Sequence, residues 1–313
     1  MEHRVLGKTG IPVSTVGFGS WAIGGDAWGP VDDDTSLAAI DRALELGVSF
    51  FDTADVYGRG HSEELLGRAL AGRRDDVVLA TKVGLWDSHV DVEPNIYSDP
   101  KLIQQRCEES LRRLATDRID VYLCHLWWDE NAETFLEAFA ELQRQGKIRA
   151  YGVSTDNVEH LRHFDQDGTC SVVQLEYSIL NRNAEHELLP YCLANDLGVI
   201  VRGPLQKGLL TGKFDDATTF PAGDVRHGWP QEEWWMDTLA KVERLRALRP
   251  SLVDVALDFV LAHPAVHTAI PGAKTPAQVE ANARVGATKL TDEERTLIDE
   301  VTGARAVAER LPG

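Results

Sequence analysis

A chain of 313 residues with 43% hydrophobic and 26% charged content can bury a sizeable core, as one large domain or two small ones. Its net charge of -18 argues against nucleic-acid backbones and anionic membrane surfaces as partners, since both repel an acidic surface. Four cysteines with no CxxC pair, no signal core and no apolar run of about 18 residues predict a soluble, cytoplasmic protein with reduced thiols.

In chain order, residues 3 to 13 read as a hairpin, with Gly10 able to supply the positive φ of its turn. Thr15, Val16 and Gly17 form a first buried strand, followed by a glycine-rich loop over 19 to 29. From there strands and helices alternate. Leu37, Ile40, Ala43 and Leu44 mark one helix face, Gly47 stops it, and 48 to 51 is the second strand. Ser62 is placed to cap a helix whose first turn carries Glu63 and Glu64, and the third strand follows at 77 to 81. Pro100 suits the first turn of a helix bearing Leu102, Ile103, Cys107, Leu111 and Leu114, ahead of a fourth strand at 119 to 124. Phe135, Leu136, Phe139 and Leu142 mark the next helix, and 148 to 153 the fifth strand. Helices near 157 to 165 and 185 to 195 alternate with strands at 171 to 175 and 199 to 202. An irregular segment, 203 to 231, breaks the rhythm. Two helices (234 to 248 and 251 to 262) precede an eighth strand at 266 to 270. Last come helices beginning at Thr275 and Thr291, each with capping-box spacing, to Gln278 and Glu294.

Eight strands, each followed by a helix and joined by no Pro-, Gly- or Ser-rich linker, predict an α/β fold. The architecture expected is one (β/α)8 TIM barrel spanning 1 to 313, with an N-terminal β-hairpin closing the barrel bottom and extra C-terminal helices. A doubly wound open sheet is disfavoured, because the turn from Gly17 to Gly24 lacks dinucleotide-fingerprint spacing and Gly58-Arg59-Gly60 lacks the third glycine.

Asp52, Tyr57, Lys82 and His125 fall at or just past the carboxyl ends of three consecutive strands, the edge where parallel α/β folds do chemistry. A lysine ammonium beside a phenol favours the phenolate and lowers a pKa that is ordinarily about 10. Asp52 would orient Lys82, and His125 could donate to a substrate carbonyl. The set suits protonation of a carbonyl oxygen as hydride reaches its carbon, and the reverse. Taken singly, Asp52 could cap a loop, Tyr57 could pack as a loop aromatic, Lys82 could form a Schiff base, and His125 could sit satisfied in a core. Their joint placement argues for a site.

The stretches Phe51-Asp52-Thr53-Ala54-Asp55-Val56-Tyr57-Gly58, Gly60 to Gly67, Ala80 to Gly84, Gly152-Val153-Ser154, Gly208 to Lys213 and Ile270 to Lys274 resemble the aldo-keto reductases. Within them the similarity is to the bacterial branch related to the potassium-channel β subunits. The resemblance implies a TIM barrel that binds NADP(H), with NAD(H) still open, and in which Tyr57 is the general acid supported by Asp52, Lys82 and His125. It implies Ser154, Thr155 and Gln174 around the nicotinamide carboxamide, and Arg202, Gly203, Pro204 and Leu205 beneath the ring and phosphates. It places Lys274, Gln278 and Asn282 at the adenosine end, and adds Gly19, Ser20, Trp21, Lys207, Leu209, Lys213 and Gly272 as cofactor contacts. Three positions depart from the family pattern. Thr155 replaces a frequent asparagine, Gln278 an expected arginine, and Arg202 the aromatic that stacks on nicotinamide, where a guanidinium could also stack but a cation would disfavour the oxidised ring.

Trp21, Trp28, Trp86, Trp127 and Trp128 lie in or near loops after strands. With Tyr57 and His125 they suggest an aromatic-walled pocket for planar or sugar-like carbonyls. Trp229 falls in the long segment, and Trp234 and Trp235 open a helix as core or lid. His160 and His163, lacking a third ligand, read as a solvated face and not as a metal site. The expected partner is a small carbonyl or sugar-like substrate, with the chain a monomer or small homo-oligomer. The alternative activity is an NADP(H)-binding redox-sensing subunit with little turnover.

Overall fold

The apolar runs of this chain become strands because both of their faces are covered, one inside a ring and one by helices. The computed structural model describes residues 1–29, 31–85, 96–126, 132–285 and 289–303. A hairpin of β1 (His3–Val5) and β2 (Pro12–Ser14) comes first, its turn closed by Gly10 at φ 69°. Eight parallel strands follow: β3 (Phe18–Gly19), β4 (Phe50–Asp52), β5 (Val78–Val83), β6 (Ile119–Cys124), β7 (Ile148–Ser154), β8 (Val172–Glu176), β9 (Gly198–Arg202) and β10 (Thr268–Ala269). Each pairs with its neighbour in sequence. The ring closes where Val16 bridges Ala269 and Gly19 bridges Gly272, with Gly17 N donating to Ala269 O at 2.8 Å.

Helices follow the strands as the pattern predicts. They are α1 (Asp33–Glu45), α2 (His61–Ala69), α3 (Pro100–Arg113), α4 (Ala132–Arg144), α5 (Val158–Phe164), α6 (Leu188–Ala194), α7 (Trp234–Arg246), α8 (Leu252–Leu261), α9 (Pro276–Ala283) and α10 (Asp292–Thr302). The two supernumerary helices, α7 and α10, pack on each other.

Three local expectations change. The first strand lies at Phe18–Gly19, with Val16 making only an isolated bridge. Ser62 does not cap α2. Gly60, at φ 89°, turns the chain into that helix, and the Ser62 hydroxyl donates to Ser20 Oγ at 2.7 Å and accepts from Thr53 Oγ1 at 3.0 Å. Thr291 and Glu294 form the full capping box, whereas Thr275 caps Gln278 N but the Gln278 side chain accepts from Lys274 N at 2.7 Å.

The core has two layers. Inside the ring, Phe50, Val78, Val121, Ala150, Val172 and Ile200 pack with Leu6, Ile11 and Val13 of the hairpin region, which plugs the amino-terminal end. A larger apolar shell lies between strands and helices. Shortening the plug should therefore be felt by the whole ring. Leu6→Ala is expected to lower stability by about 2–5 kcal/mol, read from the midpoint of urea unfolding.

Candidate active site

The carboxyl ends of β4, β5 and β6 bring Asp52, Lys82 and His125 to one rim. Register sets this: Asp52 lies opposite Ala80 on β5, and Lys82 follows two residues later, on the same face of that strand. His125 is the first residue past β6, its N–H donating to Val83 O at 2.8 Å. Tyr57 returns to the rim from the turn after β4. The turn is tight enough that Gly58, at φ 59°, has Gly24 O 2.1 Å from where a Cβ would stand, so a side chain there would push the Tyr57 loop away.

Lys82 is fully buried, and its ammonium spends three N–H groups on Asp52 Oδ2 at 2.8 Å, Thr53 O at 2.7 Å and Tyr57 Oη at 3.2 Å. Burial works against that charge, but the Asp52 carboxylate and Tyr57 outweigh it and hold the lysine pKa above its ordinary value. A Schiff-base nucleophile must be a neutral amine, so this environment opposes a Schiff-base role for Lys82. The other oxygen of Asp52 accepts from Gln174 Nε2 at 2.6 Å.

One electrostatic expectation is reversed. Burial raises the Tyr57 pKa, and the opposing pull of Lys82 does not overcome it, so the phenol keeps its proton at neutral pH. The Tyr57 and His125 rings meet edge to face at 6.1 Å. Trp21 stacks beside Tyr57 at 6.0 Å, and Trp28 stands edge-on to Trp21 at 5.0 Å. Trp86, Trp127 and Trp128 lie outside the described residues.

Around the rest of the rim, Gly19 ends β3, and Ser20, buried, donates its N–H to Asp52 O. Ser154 ends β7. Thr155 follows it, and its Oγ1 meets His160 Nδ1 at 3.2 Å. Arg202 ends β9 and leads into Gly203, Pro204 and Leu205. Leu209 packs its side chain with Phe220 and Trp235. Gly272 lies at the ring closure, and Asn282 Nδ2 reaches back to Gly272 O at 3.5 Å. The Gln278 carbonyl is taken up by Lys274 N, as described above.

His160 is buried against Phe164, so the solvated-face expectation for His160 and His163 fails at the first of them. Among the described residues, no three His, Cys, Asp or Glu side chains gather as a metal site, and no helix is long and apolar enough to cross a membrane. Trp235 is buried in a cluster with Trp229 and Phe220, while Trp234 is exposed.

The sequence reading missed Arg226. Its guanidinium forms a two-point pair with Asp224, at 2.8 and 2.7 Å, and lies over Trp28 at 4.8 Å and Phe220 at 4.6 Å. Lys274, whose Nζ donates to Trp28 O, and Lys213 both have lowered pKa values, first from burial and then from the charge on Arg226. Lys207 Nζ lies over Trp229, and its carbonyl accepts from Arg226 Nη1 at 3.1 Å. Lys213, Arg226 and Lys274 thus gather positive charge in one region of an acidic protein. No periodicity flags a lone arginine in an irregular segment, which is why it escaped notice.

The family model described as the Aldo/keto reductase family matches residues 15–302. The aldo-keto reductase YhdN of Bacillus subtilis (strain 168) is 36% identical over 313 aligned positions, covering 96% of this chain and 93% of that protein. The solved glycerol dehydrogenase AKR11B4 from Gluconobacter oxydans has a TM-score of 0.81 at 35% identity, covering 96% of this chain and 95% of that one. An aldo/keto reductase from Klebsiella pneumoniae in complex with NADP and acetate has a TM-score of 0.75 at 29% identity, with 96% of each chain covered.

Removing one member of the buried pair leaves the other charge uncompensated. Lys82→Met should cost about 3–5 kcal/mol, and adding Asp52→Asn should recover part of that loss. Thermal and urea unfolding of the two single variants and the double variant form the cycle that measures it.

Proposed function

This chain belongs to the aldo/keto reductase family, and from that premise we propose that its barrel mouth interconverts carbonyls and alcohols with Tyr57 giving and taking the proton. The protein is an oxidoreductase that works with a nicotinamide cofactor. The observation that carries the role of Tyr57 is the Lys82 ammonium, which touches both Tyr57 Oη and the Asp52 carboxylate.

The donor set fits a phosphorylated dinucleotide. Lys213, Arg226 and Lys274 share one neighbourhood with the Asp224 carboxylate and would hold phosphate groups there. Helix α9 opens beside Lys274, so its free N–H groups favour an anion at the adenosine end. We assign NADP(H) as the preferred form, with NAD(H) compatible with the same rim. Bound NADPH supplies hydride to a carbonyl carbon, and NADP+ accepts it in the reverse direction.

The rest is chemistry of this chain. As the carbonyl oxygen gains the electron pair of its π bond, the Tyr57 proton passes to it and an alcohol results. Lys82 stabilises the phenolate left behind, and while Tyr57 is protonated Asp52 balances that ammonium, so the resting site carries no surplus charge. Solvent returns the proton to Tyr57. His125, edge-on to the Tyr57 ring, borders the same oxygen. The right-angled wall of Trp21 and Trp28 supports a small planar or sugar-like substrate. We also assign the chain one domain, a cytoplasmic location and a monomeric or small homo-oligomeric state. Free, buried Cys107, Cys124, Cys170 and Cys192 support a reducing compartment.

Tyr57→Phe should reduce kcat for aldehyde reduction by on the order of 10²–10⁴, with NADPH binding retained, as followed by cofactor absorbance and fluorescence titration. Reduction needs the protonated phenol, and that proton is lost only as pH rises through a pKa lying above about 10. The rate should therefore stay flat through neutrality. An alkaline fall in kcat centred below about pH 9 that Tyr57→Phe abolishes would contradict this assignment.

A further inference from the structure

The three strand ends beyond Lys82 and His125 carry a charge arrangement that catalysis as described does not use. Arg202 Nη1 donates to Glu176 Oε2 at 3.0 Å, and its Nη2 donates to Asp156 Oδ2. Every carboxylate oxygen has a donor. Glu176 Oε1 accepts from Gln206 Nε2 at 2.7 Å and Asn181 Nδ2 at 3.0 Å, and Asp156 Oδ1 accepts from Glu176 N at 2.7 Å. Arg202 is thus fixed in a fork built from the ends of β7, β8 and β9. A network braced in this way differs from an isolated surface ion pair, which holds no fixed geometry. Burial works against ionisation of Glu176, but the donors from Asn181, Gln206 and Arg202 prevail and keep its pKa below the usual value. The group therefore carries two negative charges against one positive at working pH. The positive charge of Arg202 reaches the catalytic centre, where it favours the ionised forms of both Asp52 and Tyr57, so this rim and that centre share one electrostatic environment.

We propose that Asp156 and Glu176 set the redox preference of the enzyme: by overcompensating Arg202 they leave a net negative charge at the nicotinamide end, which tightens the oxidised cofactor relative to the reduced one. This rests on the reading of the Arg202 rim as the nicotinamide site. The oxidised ring is a cation and the reduced ring is neutral, so only the oxidised form gains from this charge. The sign is opposite to the one a lone arginine would impose. On the enzyme, the hydride-transfer equilibrium then shifts toward the oxidised cofactor and the alcohol, that is toward carbonyl reduction, because differential affinity moves an equilibrium by its own ratio. Asp156 and Glu176 are in this sense specificity-determining residues that act through charge.

The test is a charge ladder read by cofactor binding. Dissociation constants of NADP+ and NADPH, measured by calorimetry, give a ratio for wild type, Asp156→Asn, Glu176→Gln and the double variant. Each neutralisation should weaken NADP+ by about three- to tenfold, with NADPH held within about twofold, and the double variant should shift the ratio furthest. The shift should shrink as salt is raised, since Asp156 and Arg202 are partly exposed. Asp156→Asn, at the more exposed carboxylate, carries the test if Glu176→Gln fails to fold. A ratio that stays within twofold while both forms still bind overturns the proposal and leaves the cofactor assignment standing. Failure of wild type to bind either form overturns both.

Discussion

The fully buried ammonium of Lys82 is the constraint on which the rest of this molecule depends. An unpaired charge in such a place would cost several kcal/mol, and it is tolerated only because three acceptors meet it from fixed backbone positions. Two of those acceptors, Asp52 and the Thr53 carbonyl, lie at the end of β4, and the third, Tyr57, on the turn that follows. Strand register between β4 and β5 decides whether they meet at all, since a slip of one residue would send Lys82 to the opposite face. The barrel, the hairpin plug and the turn at Gly58 can all be understood as means of holding that register.

Much of this was legible in the sequence, and the reason is periodicity. Buried parallel strands read as short continuous apolar runs, so a polar residue at the end of each run stands out, as Asp52, Lys82 and His125 do. What stayed hidden lacks a period. Arg226, Asp156 and Glu176 lie in loops or at single strand ends, and nothing in their neighbours' spacing says which way their side chains face. Ser62 misled because its spacing suits a cap while Gly60 already turns the chain, which frees the hydroxyl for Ser20. The direction of the Tyr57 pKa was misread because a lysine neighbour is visible in sequence and the depth of burial is not. His160 shows the same limit, since two histidines at helical spacing say nothing of the phenylalanine that covers one of them.

The overall charge of -18 shows how far bulk composition can mislead about local binding. Repulsion of a polyanion is a property of the whole surface, screened beyond roughly 10 Å, whereas a phosphate group is held by whatever lies within a few ångströms. The region of Lys213, Arg226 and Lys274 supplies a positive neighbourhood on an acidic protein. Aromatic rings at Trp28, Phe214 and Phe220 flank the guanidinium of Arg226 and limit its freedom to swing outward.

A ring of strands is only as closed as its shortest joint. Here the first and last strands, β3 and β10, are two residues each, and they meet through isolated bridges, whereas β5 to β8 share long ladders. Sub-global opening is therefore expected first at this seam, where amide hydrogens should exchange with solvent ahead of those in the longer ladders. The seam ends at Gly19 and Gly272, between the Trp21 wall and the start of α9. The least cooperative part of the barrel is thus also part of the rim where we propose that the dinucleotide lies.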